Sequence, residues 1–161
     1  MRKDLLLLLS SIAFYGFASV YHIGNQHAVT QPSSQDSLVM SRKVHLDGLR
    51  KLIVGKEELP AEEVFINIQS LKGRKAKTLL AIMEFGYSRS LGVGCEHCHN
   101  TSDWGSDEKV QKQIAREMSA MSCKINRELL TDIDGLASEQ PAVNCTTCHR
   151  GQVKPALNLG K

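Results

Sequence analysis

Six residues in two short clusters carry most of the chemistry open to this chain: Cys95, Cys98 and His99 in "GVGCEHCHN", and Cys145, Cys148 and His149 in "CTTCHRG". A Cys-x-x-Cys pair alone suits a redox disulfide or half of a zinc site. A disulfide oxidoreductase carries one such pair at a helix start in a strand-rich fold, and no run of alternating strands is visible here. A four-cysteine zinc centre uses both pairs but gives neither adjoining histidine a role. Covalent haem attachment uses all six. Two thiols add across the two vinyl groups of one porphyrin, and the next residue directs an imidazole nitrogen at the iron. The spacing therefore predicts two haem c groups, one held by Cys95 and Cys98 with His99, the other by Cys145 and Cys148 with His149.

Each iron then takes a sixth ligand or stays open. Met83, Met118 and Met121 all lie on apolar helical stripes, although core packing is the commoner use of a helical methionine. Met118 and Met121 are three apart and share a face, so spacing does not choose between them. Bringing Met83 back over His99 requires the chain to reverse, and "SRSLGVG" with Gly92 and Gly94 supplies the turn.

The elements that position these residues read as helices from Leu38 onward. A weaker segment covers Leu38 to Val54 and stops at Gly55. Pro60 and "AEE" open a short helix, Ala61 to Leu71. In "RKAKTLLAIMEFGY", Ala76, Leu79, Leu80, Met83 and Tyr87 share one face. In "KVQKQIAREMSAMSCKINRELL", Val110, Ile114, Met118, Met121, Ile125 and Leu129 form one apolar stripe expected to be buried, with Asp107 and Glu108 favourably placed at the positive helix start. The result is a loose repeat of helix with Met, turn, and Cys-x-x-Cys-His, the second unit carrying an extra loop from Thr131 to Asn144. The fold class expected is all-α, a small multihaem cytochrome wrapped around its cofactors. An aromatic content of only 5% agrees, since the porphyrins would supply the missing core.

Residues 1–23 begin with Arg2 and Lys3 before an apolar run, the pattern of an export signal or of a retained membrane anchor. Residues 24–37 are polar and read as a tether, leaving 38–161 as the dihaem domain. The expected location is periplasmic, or the outer face of the inner membrane. With 20 Lys and Arg against 17 Asp and Glu, no nucleic-acid partner is indicated.

These residues resemble the photosynthetic reaction-centre cytochrome c subunit family. The likeness runs through "VFINIQSLKG", "LLAIMEF", "LGVGCEHCHN", "SDEKVQKQIAREMSAMSCKIN" and "VNCTTCHRGQVKP". It implies methionine from a preceding helix as the second axial ligand: Met83 opposite His99, and Met118 opposite His149, with Met121 a core residue. It also implies one-electron transfer rather than catalysis, with redox protein partners: a photosynthetic reaction centre, or a respiratory complex in a non-phototroph. The best-known members carry four haems in two such halves, and this chain has one half. A dihaem peroxidase-like enzyme is the rival from another class and would need an open iron.

Other residues carry weaker expectations. His97 reads as a solvent-facing spacer, His22, His27 and His45 as surface or tether residues, and Cys123 as a buried inert thiol. Arg89 and Arg150 are the candidates for pairing with haem propionates. Lys72, Arg74, Lys75 and Lys77 form either a basic docking face or a solvated helix start.

Overall fold

The computed structural model describes residues 33–158, and the expected leader and most of the expected tether lie outside them. Helix α1 spans Ser34–Leu52 and starts four residues inside the expected tether. Its start is a capping box: Ser33 Oγ accepts the Asp36 N–H at 3.2 Å, and the Asp36 carboxylate accepts the Ser33 N–H at 3.2 Å. Arg50 and Lys51 occupy its last turn, where cations suit the dipole.

Helix α2 is confined to Ala61–Val64, not the expected Ala61 to Leu71. Phe65 turns extended and Asn67 takes a left-handed φ of 62°, a conformation asparagine tolerates. The Asn67 amide donates to the Gly105 carbonyl at 2.7 Å. Leaving the helix lets Phe65 pack on the core formed by Leu46, Ile53, Ala76 and Leu80. Ala61 N–H donates to the Arg74 carbonyl at 2.7 Å and Ala76 N–H to the Leu59 carbonyl at 2.9 Å, so the two helix starts lie side by side. Both alanines are fully buried there.

Helix α3, Ala76–Ala81, continues into a π-helical stretch, Ile82–Ser88, and a last turn, α4, Arg89–Leu91. The methionine expected to face the first haem, Met83, sits in the π stretch, a rare conformation that recurs at functional sites. Gly92, at φ 67°, ends this rod and reverses the chain, as its position predicted. Helix α5, Val110–Lys124, also ends in a π stretch, Ile125–Leu129. The segment 131–144 holds no regular element, in keeping with the loop expected there. Helix α6, Cys145–His149, is capped by Asn144 in a box with Thr147.

The all-α expectation holds for the described residues, whose only β-type pairings are two isolated bridges, Pro60 with Lys75 and Asn100 with Asp103. Among them no helix is long and apolar enough to cross a membrane. The core is small, and no large side chain among the described residues is completely buried. The α5 stripe departs most from expectation: Val110 is 62% exposed, Ile114 50%, Met118 37%, Met121 47% and Leu129 52%. Periodicity identified an apolar face, but among the described residues much of it is left exposed.

Two candidate cofactor cavities

The Cys-x-x-Cys-His clusters line two neighbouring cavities. The first, about 410 Å³, is bounded by Met83, Cys95, Cys98, His99 and Trp104 among others. The second, about 150 Å³ and opening along the bare face of α5, is bounded by Met118, Met121, Cys145, Cys148 and His149 among others. Each predicted set of two cysteines, histidine and methionine thus meets at one cavity. Met118 and Met121 both reach the second, so geometry leaves the choice between them where spacing left it. Tyr87, Leu91 and Cys98 belong to both cavities and form a shared wall.

Close contacts hold the two clusters together. Gly151 N–H donates to the Ser90 carbonyl at 2.8 Å, and the Ser90 and Thr146 hydroxyls are 2.6 Å apart. A Cβ on Gly92 would lie 2.8 Å from the Gly151 carbonyl carbon and nearer still to its oxygen, so a side chain there has no room. The second cluster is also tied to α5. The Asn126 amide donates to the Val143 carbonyl at 2.8 Å and its oxygen accepts the Val143 N–H at 2.7 Å. That two-way clasp brings the long loop back two residues before Cys145.

The histidines are prepared differently. His99 Nδ1 is buried without a hydrogen-bond partner. Burial, with the charges of Lys112 and Arg116, pushes the His99 pKa down, so the ring is held neutral with a lone pair available. Trp104, the chain's one tryptophan, packs against it with ring centroids 5.4 Å apart, and His45 meets Trp104 edge-on at 5.6 Å. The Trp104–Ser106 loop is fastened by Lys112, whose ammonium donates to the carbonyls of Trp104, Gly105 and Ser106 at 3.1, 3.0 and 2.7 Å. His149 Nδ1 lies 3.0 Å from the Gln152 carbonyl. A carbonyl only accepts, so this bond places the proton on Nδ1 and leaves Nε2 free to bind a metal.

Burial raises the thiol pKa of Cys95, Cys98 and Cys145, so these side chains are protonated thiols at neutral pH. Among the described residues no three His, Cys, Asp or Glu side chains converge to hold a bare metal ion. A large planar group fits better. Thiols and an imidazole with an available nitrogen border each cavity, and an uncovered apolar face borders the second.

Several weaker expectations are revised. His97 is half-buried and lines the second cavity, not solvent alone. His45 is engaged with Trp104, and Cys123 is exposed. Arg89 lies over the Phe85 ring and pairs with Glu84 at 2.7 Å, and neither it nor exposed Arg150 lines a cavity. Lys75 and Lys77 both pair with Glu58. Asn126, Trp104 and Gln152 went unnoticed in the sequence. Only Gln152, three residues past His149, stood near enough to a recognised motif to suggest a role.

Two Cys-x-x-Cys-His clusters, each sharing a cavity with a helical methionine, define a c-type cytochrome. The chain belongs to the photosynthetic reaction centre cytochrome c subunit family, whose pattern matches residues 21–158. It is 34% identical over 84 residues to cytochrome c-554 of Chloroflexus aurantiacus, covering 52% of this chain and 20% of that one. It is 36% identical over 107 residues to the photosynthetic reaction center cytochrome c subunit of Roseobacter denitrificans, covering 63% and 28%. With the subunit of the same name from Thermochromatium tepidum the identity is 29% over 99 residues, covering 59% and 22%. The chain thus spans a fifth to somewhat over a quarter of the length of these relatives. Membership in a cytochrome c family implies covalently bound haem c.

Proposed function

We propose that this chain is a dihaem electron carrier, exported across the membrane, that passes single electrons to a redox protein partner. The observation that carries this reading is the shared wall of Tyr87, Leu91 and Cys98 between two cavities, each bordered by a complete set of attachment and ligand residues. Cys95 and Cys98 would hold the first haem, with His99 and Met83 as axial ligands. Cys145 and Cys148 would hold the second, with His149 and Met118. Bound there, haem c supplies an iron that gains and loses one electron. A methionine sulfur ligand would favour the reduced state more than a second imidazole would. The chain's own part is to hold the His99 ring neutral, to keep the His149 proton on Nδ1, and to fasten the two sites at Ser90 and Gly151. The names of the relatives point to a photosynthetic reaction centre as the partner.

Mass spectrometry of protein made in a host competent for cytochrome maturation tests the reading. Two haem additions are expected, falling to one when Cys95 and Cys98 are both changed to serine, and likewise for Cys145 and Cys148. An unmodified polypeptide would refute it. Spectra unchanged by carbon monoxide or peroxide are expected, because histidine and methionine would occupy both ligand positions of each iron.

A further inference from the structure

The two cavities differ in charge. The first is bordered by three cations, Arg42, Lys112 and Arg116, against two carboxylates, Glu84 and Asp103. Glu84 is already matched, pairing with Arg50 at 2.9 Å and Arg89 at 2.7 Å. Asp103 is exposed and accepts the Gly105 N–H. Among the described residues no Asp, Glu, Lys or Arg borders the second cavity. The Lys112 and Arg116 side chains are only 10% and 13% exposed, and both share one more accessible carboxylate, Asp107, at 3.2 and 2.9 Å. Lys112 spends its three N–H groups on loop carbonyls, which leaves Arg116 and Arg42 as the cations with donors to spare.

From this asymmetry, and resting on the two-haem reading above, we infer that Arg42 and Arg116, backed by the buried charge of Lys112, receive the carboxylates of the first haem and set its midpoint potential above that of the second. Each haem brings the same two propionates, so these do not cancel the difference in wall charge. An oxidised iron–porphyrin core carries one more positive charge than a reduced one, and nearby cations therefore favour the reduced form. A single electron shared between the sites, with no proton moved, then resides on the first.

A redox titration of the dihaem holoprotein tests the inference, the first site being identified as the one whose sulfur-to-iron absorption is lost in Met83→His. Arg116→Gln and, independently on another helix, Arg42→Gln should each lower the upper midpoint. The expected change is about tenfold in the reduced-to-oxidised ratio, or about 59 mV for one electron. Arg116→Lys should restore most of it, and the lower midpoint should move much less. Two haems with an upper midpoint unmoved by either glutamine variant would overturn the inference alone, as would assignment of the upper midpoint to the second site. Wild-type protein without two covalent haems would overturn the two-haem reading and this inference together.

Discussion

Changing Gly92 to alanine should loosen the joint between the two clusters. The residue sits at φ 67°, and its missing Cβ is the space occupied by the Gly151 carbonyl. A left-handed conformation costs an L-residue about 1–2 kcal/mol before any clash. The clash is with backbone, which cannot rotate away, so Gly151 must retreat. That movement weakens the Gly151-to-Ser90 hydrogen bond and the Ser90–Thr146 contact, each worth about 1 kcal/mol. The total is roughly 3 kcal/mol, equivalent to a melting temperature lower by about 10 °C for a domain of this size. Gly48→Ala is the matched control. Gly48 lies inside α1 with nothing within 4 Å of its absent Cβ, so alanine there should stabilise by about 0.5–1 kcal/mol. Thermal melts of the holoproteins followed by far-ultraviolet circular dichroism give both numbers. A Gly92→Ala melt indistinguishable from wild type would refute the steric account, since neither backbone strain nor the lost contacts could then be present.

Asn126→Ala removes both halves of the clasp on Val143 and should cost about 2 kcal/mol, seen as a lower melting temperature and less haem attached at Cys145 and Cys148, counted by mass spectrometry. Met118→Ala should abolish the sulfur-to-iron absorption of the second site while Met121→Ala preserves it; the reverse outcome would reassign the ligand. Asp107 is held well below the ordinary aspartate value of 3.8 by its hydrogen bond from Arg116, with Asn67 and Lys112 assisting. A carboxylate with a lowered folded pKa contributes stability that is complete above its unfolded value and fades as pH falls through the folded one. Asp107→Asn should therefore flatten the decline of melting temperature below about pH 4.

The cytochrome c class was legible because Cys-x-x-Cys-His spans five consecutive residues, a pattern that needs no tertiary structure to recognise. The rod carrying Met83 and the helix carrying Met118 were legible because an apolar stripe repeats at helical spacing over several turns. The early end of α2 was not. Its sequence continues to favour a helix beyond Val64, and what overrides that preference is the distant Gly105 carbonyl taken up by Asn67. The roles of Trp104, Lys112 and Asn126 were hidden for the same reason, since each depends on a partner brought near only by folding. The α5 stripe shows a further limit. Its pattern says which side avoids water, but a side covered by a porphyrin and a side covered by another helix look alike in the sequence.

The thin protein core has a consequence for how the molecule is made. Leu46, Ile53, Ala76 and Leu80 are a modest foundation for so long a chain, and the methionines that should anchor it stay wet until something planar slides beneath them. Newly delivered polypeptide should therefore be easy prey for proteases, and ligation should mark the moment at which it becomes durable. Limited proteolysis before and after maturation would show this as a change in lifetime, so that the amount of cytochrome in a cell would track its supply of tetrapyrrole.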